Sequence, residues 1–238
     1  MTTRRIWLTG MAATFVALAT ARRGQAATTA IETRSVSGFD EIVWDAVGEL
    51  HVEQTHREHL SVEAEPAVLR QIVTEVRRRR LHIGFAPGRV QTREPIRFRL
   101  EVKSLTALEA RGSGEISIGR LSTAGLSLRL EGSDSLSLAH LSARTLEARL
   151  DGAGDVVIAG GEVLSQRVLL SGAGRYAALG LASRQAEVAI DGSGDARVAA
   201  SERLIVSIAG SGDVHYRGNP QIAHSVTGAG SLRRAKNS

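Results

Sequence analysis

Apolar and polar residues alternate along the second half of the chain in short runs separated by glycines. Leu126, Leu128 and Leu130 precede one glycine. Leu146, Ala148 and Leu150 precede the next, then Val168 and Leu170, then Ala186, Val188 and Ile190, then Val206 and Ile208. The alternation resumes after each corner, as in Ile116 and Ile118, Leu136 and Leu138, Val156 and Ile158, Tyr176 and Ala178, Ala196 and Val198, Val214 and Tyr216. A period of two marks β-strands with one face buried.

The glycines recur at a fixed spacing. Gly-x-Gly occurs at Gly112 and Gly114, Gly152 and Gly154, Gly172 and Gly174, Gly192 and Gly194, Gly210 and Gly212, and Gly228 and Gly230. Gly132-Ser133-Asp134 is a degenerate copy, and the first glycines step by 20, 20, 20, 20, 18 and 18 residues. Glycine permits positive φ, so these positions serve as structural turn glycines. A looser second corner follows each unit, as at Ala139–Arg144 and Ala159–Val163. A unit of two short strands and two corners is one rung of a parallel stack. Rungs about 4.8 Å apart would align like side chains into a ladder core. Seven such rungs predict a prism roughly 30 Å long. A meander of hairpins would not need to hold this period.

Residues 31–107 lack the repeat. Ser37–Trp44, Glu49–Gln54 and His59–Ala64 read as strands, as do Leu81–Phe85 and Ile96–Val102; Glu65–Arg70 reads as a helical turn with Pro66 at a tolerated position. This opening β region is expected to cap the stack and continue its core, because open ends expose apolar area and unpaired edges. The domain plan is a signal over 1–26, the β region over 31–107, the repeat stack over 108–232 and a basic tail over 233–238.

The signal reading rests on Arg4 and Arg5 before an apolar run from Ile6 to Ala21, then Arg22-Arg23-Gly24-Gln25-Ala26. A charged start, a short apolar core and a small-x-small end predict cleavage after Ala26. Thr3-Arg4-Arg5-Ile6-Trp7-Leu8 also resembles the twin-arginine export motif. The run falls short of the about 20 apolar residues a membrane-spanning helix needs, so no span is expected after cleavage.

Charge then changes meaning. The chain carries a formal net charge of +5, but residues 1–26 hold four arginines and no acid, and Arg233, Arg234 and Lys236 crowd the tail. The body between is slightly acidic, which removes the main support for a nucleic-acid partner. Aromatics are 3% of the chain, too few for extensive stacking on bases or sugars. The absence of cysteine excludes disulfides, thiolate metal sites, a cysteine nucleophile and a lipid-modified cysteine.

The chain from Phe39-Asp40-Glu41-Ile42 through the Gly-Ser-Gly-Asp/Glu units resembles the putative auto-transporter adhesin, head GIN domain family, over about residues 35–232. The stretch from Ala209 to Pro220, followed by Gly228-Ala229-Gly230, carries the resemblance most specifically. It departs from the family at Ser133-Asp134 and at the Arg77–Arg80 run. The resemblance implies a right-handed parallel β-helix, pectin-lyase-like in outline, with an extracytoplasmic adhesive role and no catalytic residues.

Candidate chemistry is sparse. Glu115, Asp155, Asp195 and Asp213 follow Gly-x-Gly corners, and Glu131, Asp151 and Asp191 precede them. Stacked acids could bind calcium, but Ser135 and Arg175 interrupt the column, and the favoured reading is capping of local amides. His51, His56 and His59 have a spacing that does not converge on a strand, so exposed turn histidines are expected. Arg77, Arg78, Arg79 and Arg80 should sit on a hairpin tip, splayed into solvent as a possible anionic contact. No Gly-x-Ser-x-Gly elbow or phosphate loop is present, and no catalytic, metal or cofactor site is assigned.

The expected function is therefore a non-enzymatic, adhesin-like envelope or surface domain, in the periplasm or at the cell surface, with an envelope glycan or protein as its unidentified partner. The alternatives are a carbohydrate-active enzyme on the same β-helix, or an envelope scaffold or stress-sensing component acting through protein contacts.

Overall fold

The computed structural model describes residues 29–235; the signal call over 1–26 lies outside them. In chain order the elements are β1 (Ala30–Arg34), β2 (Glu41–Asp45), β3 (Glu49–Gln54), β4 (His59–Ala64), α1 (Pro66–Leu69), β5 (Ile72–Arg77), β6 (Arg80–Phe85) and β7 (Arg97–Val102). They continue with β8 (Ala107–Ala110), β9 (Glu115–Ser122), β10 (Gly125–Gly132), β11 (Ser135–Ser142), β12 (Thr145–Gly152), β13 (Asp155–Ile158) and β14 (Gly161–Gly172). The last are β15 (Arg175–Ala178), β16 (Leu181–Gly192), β17 (Asp195–Ala199), β18 (Arg203–Gly210), β19 (Asp213–Arg217), β20 (Gln221–Gly228) and β21 (Ser231–Arg234).

Each glycine corner joins strands of two different ladders. The first ladder runs β2, β8, β10, β12, β14, β16, β18, β20, each parallel to the next. The second runs β3, β9, β11, β13, β15, β17, β19, β21, also parallel. A hairpin meander would pair its neighbours antiparallel, so the fold is an all-β solenoid, a β-helix of about 20-residue turns. Leu150, Leu170, Ile190 and Ile208 lie in register on successive rungs. All are buried in one apolar cluster that extends from Val36 to Val214. The stack therefore has one unbroken core, and each rung buries its apolar row only by contact with the next.

The rung has three sides where the sequence pattern suggested two strands. In β9 and β11 the inward residues step by two and then by three: Ile116, Ile118, Leu121 and Leu136, Leu138, Leu141, all buried. A step of three breaks the strand's alternation, so the chain must bend to keep both residues inside. The short run after the bend forms a third ladder, in which Leu121, Leu141, Gly161 and Leu181 stack in register. The looser corner at Ala139–Arg144 thus contains a short side of its own.

The N-terminal region holds a rung hidden from the repeat. β2 and β3 stack on β8 and β9, and Ala46-Val47-Gly48 occupies the corner. The Arg111 N–H donates to the Trp44 carbonyl at 2.9 Å and the Glu115 N–H to the Gly48 carbonyl at 2.9 Å. Alanine replaces the first glycine, and a long excursion through β4–β7 separates this rung from the next, so no period was visible. β6 and β7 lie on its other side, parallel to β2 and β3. Rung order thus differs from chain order: the chain lays down one rung, builds outward, then steps back over it to continue.

Antiparallel strands finish this end: β4 on β7, β5 on β6 and β1 on β4. β1 had no counterpart among the predicted strands. Val68 and Leu69 of α1 are buried over the core, and Trp44 meets Phe98 edge-on with ring centroids 5.0 Å apart. Such edge-to-face packing contributes about 0.5–1.5 kcal/mol beyond area burial.

Candidate functional site

The outward faces of the first ladder form columns of equivalent residues. Gly125, Thr145, Ser165, Gln185 and Arg203 share one column; Ser127, Glu147, Arg167, Glu187 and Ile205 share another. Strand alternation directs these side chains to solvent while Leu126, Leu146 and Ala186 turn inward. Together they line a furrow of about 520 Å³ that runs along the stack. Its lining includes the small hydroxyls of Ser127, Thr145 and Ser165 and the glycine Gly125. Arg167 donates to Glu187 across adjacent rungs at 2.7 Å, and Glu147 flanks Arg167 from the rung before. The furrow can supply hydroxyl, amide, guanidinium and carboxylate contacts at rung spacing, a match for an extended polar polymer rather than a compact apolar ligand.

The corner acids have other tasks. Asp155 accepts the Arg175 backbone N–H at 3.1 Å, Asp195 that of Asp213 at 3.0 Å, and Asp213 that of Ser231 at 2.9 Å. Each carboxylate caps the equivalent amide of the following rung, 18 or 20 residues on. The capping is between rungs, where the sequence suggested local capping. Glu131 meets Arg129 at 2.7 Å and Arg111 at 3.8 Å, and Asp151 meets Arg149 at 2.7 Å. Among the described residues no cluster of three His or acidic side chains is placed to hold a metal ion.

The Ser231 hydroxyl, then its backbone N–H, hold the Asp213 carboxyl below the usual carboxylate range. A depressed carboxyl stabilises the fold above its unfolded value, about 3.9, and loses that contribution as pH falls through its lower folded value. Amides of β21 are therefore expected to lose protection below about pH 4, and Asp213→Asn should abolish that step in hydrogen exchange.

Asp134 is the corner residue whose importance the sequence concealed. It is fully buried, and its two carboxylate oxygens accept the Gly112 and Gly114 N–H groups, each at 2.7 Å. The lost second glycine is thus replaced by a carboxylate that clamps the preceding corner. Asp134→Ala would leave a buried and a half-buried N–H group unpaired and is expected to destabilise the fold by about 2–4 kcal/mol, read as a lower midpoint in chemical denaturation.

A second buried polar cluster also escaped the pattern. Tyr176 Oη donates to Gln166 Oε1 at 3.0 Å; Gln166 Nε2 donates to Ser183 Oγ at 3.0 Å and to the Ala199 carbonyl at 3.2 Å. Burial pushes the Tyr176 hydroxyl up, which keeps it a donor. The cluster is closed on itself, and Gln166 and Tyr176 stack in register with the small Ala186 and Ala196 of the next rung. Gln166 in an otherwise apolar column was its one sequence signal.

Arg77–Arg80 do form a hairpin tip, between β5 and β6, with Arg78 and Arg79 at φ 52° and 65°. All four are exposed, and Arg77, Arg79 and Arg80 are each held by an acid. Arg77 donates to Glu75 at 2.5 Å, Arg79 grips Asp40 at 2.6 and 3.1 Å, and Arg80 donates to Glu41 at 2.5 Å. Asp40 and Glu41, at the entry to and start of β2, hold two of the four arginines. His51 bridges Ser117 at 2.8 Å and Glu53 at 3.0 Å, away from any shared site with His56 and His59.

A glycine-cornered solenoid with polar outward columns defines the class: a stacked β-helix that offers long, rigid faces. The chain belongs to the family described as putative auto-transporter adhesin, head GIN domain, which matches residues 38–220. A putative adhesin from Bacteroides fragilis superimposes with a TM-score of 0.83 at 21% identity, over 87% of this chain and 97% of that one. A putative adhesin from Parabacteroides merdae does so at 0.72 and 19%, over 89% and 98%. A putative lipid binding protein from Parabacteroides distasonis does so at 0.69 and 24%, over 89% and 98%. These similarities establish the fold. No curated protein matches the chain.

Proposed function

We propose that the chain is exported and acts without catalysis as a rigid envelope or cell-surface domain that binds a polar polymer through the furrow on its first ladder. The observation that carries this reading is the furrow itself, whose hydroxyls, amides and paired charges repeat at rung spacing along a stiff face. The charged and apolar pattern of residues 1–26 supports export, and no helix among the described residues is long and apolar enough to cross a membrane. The family's description as an adhesin head domain is consistent with a surface role.

The test is binding of immobilised chain to fractionated envelope glycans and envelope proteins. Saturable binding that weakens about tenfold, near 1.4 kcal/mol, in Arg167→Ala/Gln185→Ala is the expected result. Absence of binding to every fraction would remove the proposal. One observation favours a carbohydrate-active enzyme as second reading: Glu147 and Glu187 share the furrow two rungs, about 10 Å, apart, close to an inverting carboxylate pair. Turnover of an acidic polysaccharide that Glu147→Gln abolishes would favour it.

A further inference from the structure

The two ends of the solenoid are finished differently. At the N-terminal end the outer strands β1 and β5 carry Glu32, Arg34, Glu75 and Arg77, and α1 covers the core. Charges on an edge strand oppose pairing with another chain. At the other end, among the described residues, β20 pairs only with β18. Its sequence, Gln-Ile-Ala-His-Ser-Val-Thr-Gly, contains no charge and no proline, and every residue is exposed. Nothing in it blocks its free edge.

The inward row of β20 shows what this edge lacks. Ile222 and Val226 continue the columns of Leu204 and Ile208, which are 0% and 1% exposed, yet they are 40% and 37% exposed themselves. On interior rungs these positions are covered by the next rung. Among the described residues the terminal rung presents the same surface uncovered, so whatever covers it must continue the ladder. A head-to-tail copy could not do so through a matching parallel rung, because the other end is closed by antiparallel, charged strands. The strand is, however, complementary to itself. With a two-fold axis at His224, antiparallel pairing sets Ile222 against Val226 of the second copy, twice, and His224 against its own equivalent. No other register pairs all three inward residues.

We propose that two copies of this chain join end to end through the free edges of β20, centred on His224, to form a closed dimer with one continuous core. The contact is isologous, so it closes at two chains and leaves both charged ends outward. The furrow on each copy remains free, so the dimer would present two furrows along one doubled axis.

Sedimentation of the purified chain over a wide concentration range tests the proposal, with cross-linking to locate the contact. A species of twice the chain's mass is expected, reduced to a monomer in Ile222→Lys/Val226→Lys. Both residues are exposed in the single chain, and an unchanged thermal midpoint for that variant under monomeric conditions will show that it still folds. The protein has no cysteine, and opposed Cα atoms of an antiparallel pair lie about 4.5–5.5 Å apart, within disulfide range. His224→Cys should therefore oxidise to a covalent dimer, at least tenfold more than Ala223→Cys, which faces the other side. A monomer at all concentrations, assemblies that grow beyond two, a dimer indifferent to the double lysine variant, or equal cross-linking of the two cysteines would overturn it. A chain that stays monomeric while another protein occupies β20 would overturn it equally.

Discussion

Val168→Asp should unfold much of the stack. Val168 is fully buried in β14 and pairs in register with Ala148 on one side and Val188 on the other. A carboxylate there finds no free partner, because the nearby Gln166–Ser183–Tyr176 cluster already satisfies itself. Whether it stays charged or takes up a proton, the substitution costs more than about 4 kcal/mol. Whole domains are stable by only about 5–15 kcal/mol. The thermal midpoint should fall by about 8–16 °C, and proteases should cut first near β14, since each rung is held only by its neighbours. Val157→Asp supplies the contrast. Val157 lies on a neighbouring rung but is 45% exposed, and its change should stay within about 0.5 kcal/mol. Equal melts for the two variants would refute the rung assignment.

Gly152→Val should be nearly as damaging, for a different reason. Gly152 has φ +143°, a region that L side chains rarely adopt, and an added Cβ would lie 2.5 Å from the Gly132 carbonyl oxygen. Backbone strain and a clash with backbone therefore coincide, and a β-branched residue suffers most from both. A loss of more than about 3 kcal/mol is expected in chemical denaturation. Gly160→Ala is the matching control: its added Cβ would meet nothing closer than His140 Nδ1 at 3.8 Å, at an unstrained φ, so the midpoint should hardly move.

These glycines show where sequence reasoning was sound and where it was incomplete. Positive φ does explain the first glycine at Gly132 and in the later corners. It does not explain the second. At Gly154 the need is space, since a Cβ would approach the Asp134 carbonyl oxygen to 2.7 Å. That constraint comes from the rung below, which the chain order does not reveal. The same holds for the corner acids. Asp155 and Asp195 looked like local caps because their residue type favours turns, yet their partners sit 18–20 residues away.

Other gaps have similar causes. The third side of the rung was written in the three-residue steps from Ile118 to Leu121 and from Leu138 to Leu141, but a search for period two passes over a change of phase. The Ala46-Val47-Gly48 corner was invisible because one glycine is missing and the next rung follows only after β4–β7. The partners of Arg79 and Arg80 were not legible because Asp40 and Glu41 lie 39 residues away in sequence and reach the run only when β2 and β6 pair. The furrow was wholly absent from the sequence reading. Its walls are outward residues of five rungs, each unremarkable alone.

What the sequence determined by itself was the repeating unit: strands from period-two alternation, corners from the 20-residue glycine spacing, and a ladder core from apolar residues at equivalent positions. Those features depend on interactions within a rung or on identity between rungs, and both are legible in one dimension. The tertiary structure alone decided the order of the N-terminal rungs, the pairing of charges, the furrow and the open edge of β20. Each of these depends on which rung lies against which, and stacking brings residues together at separations that no local pattern records.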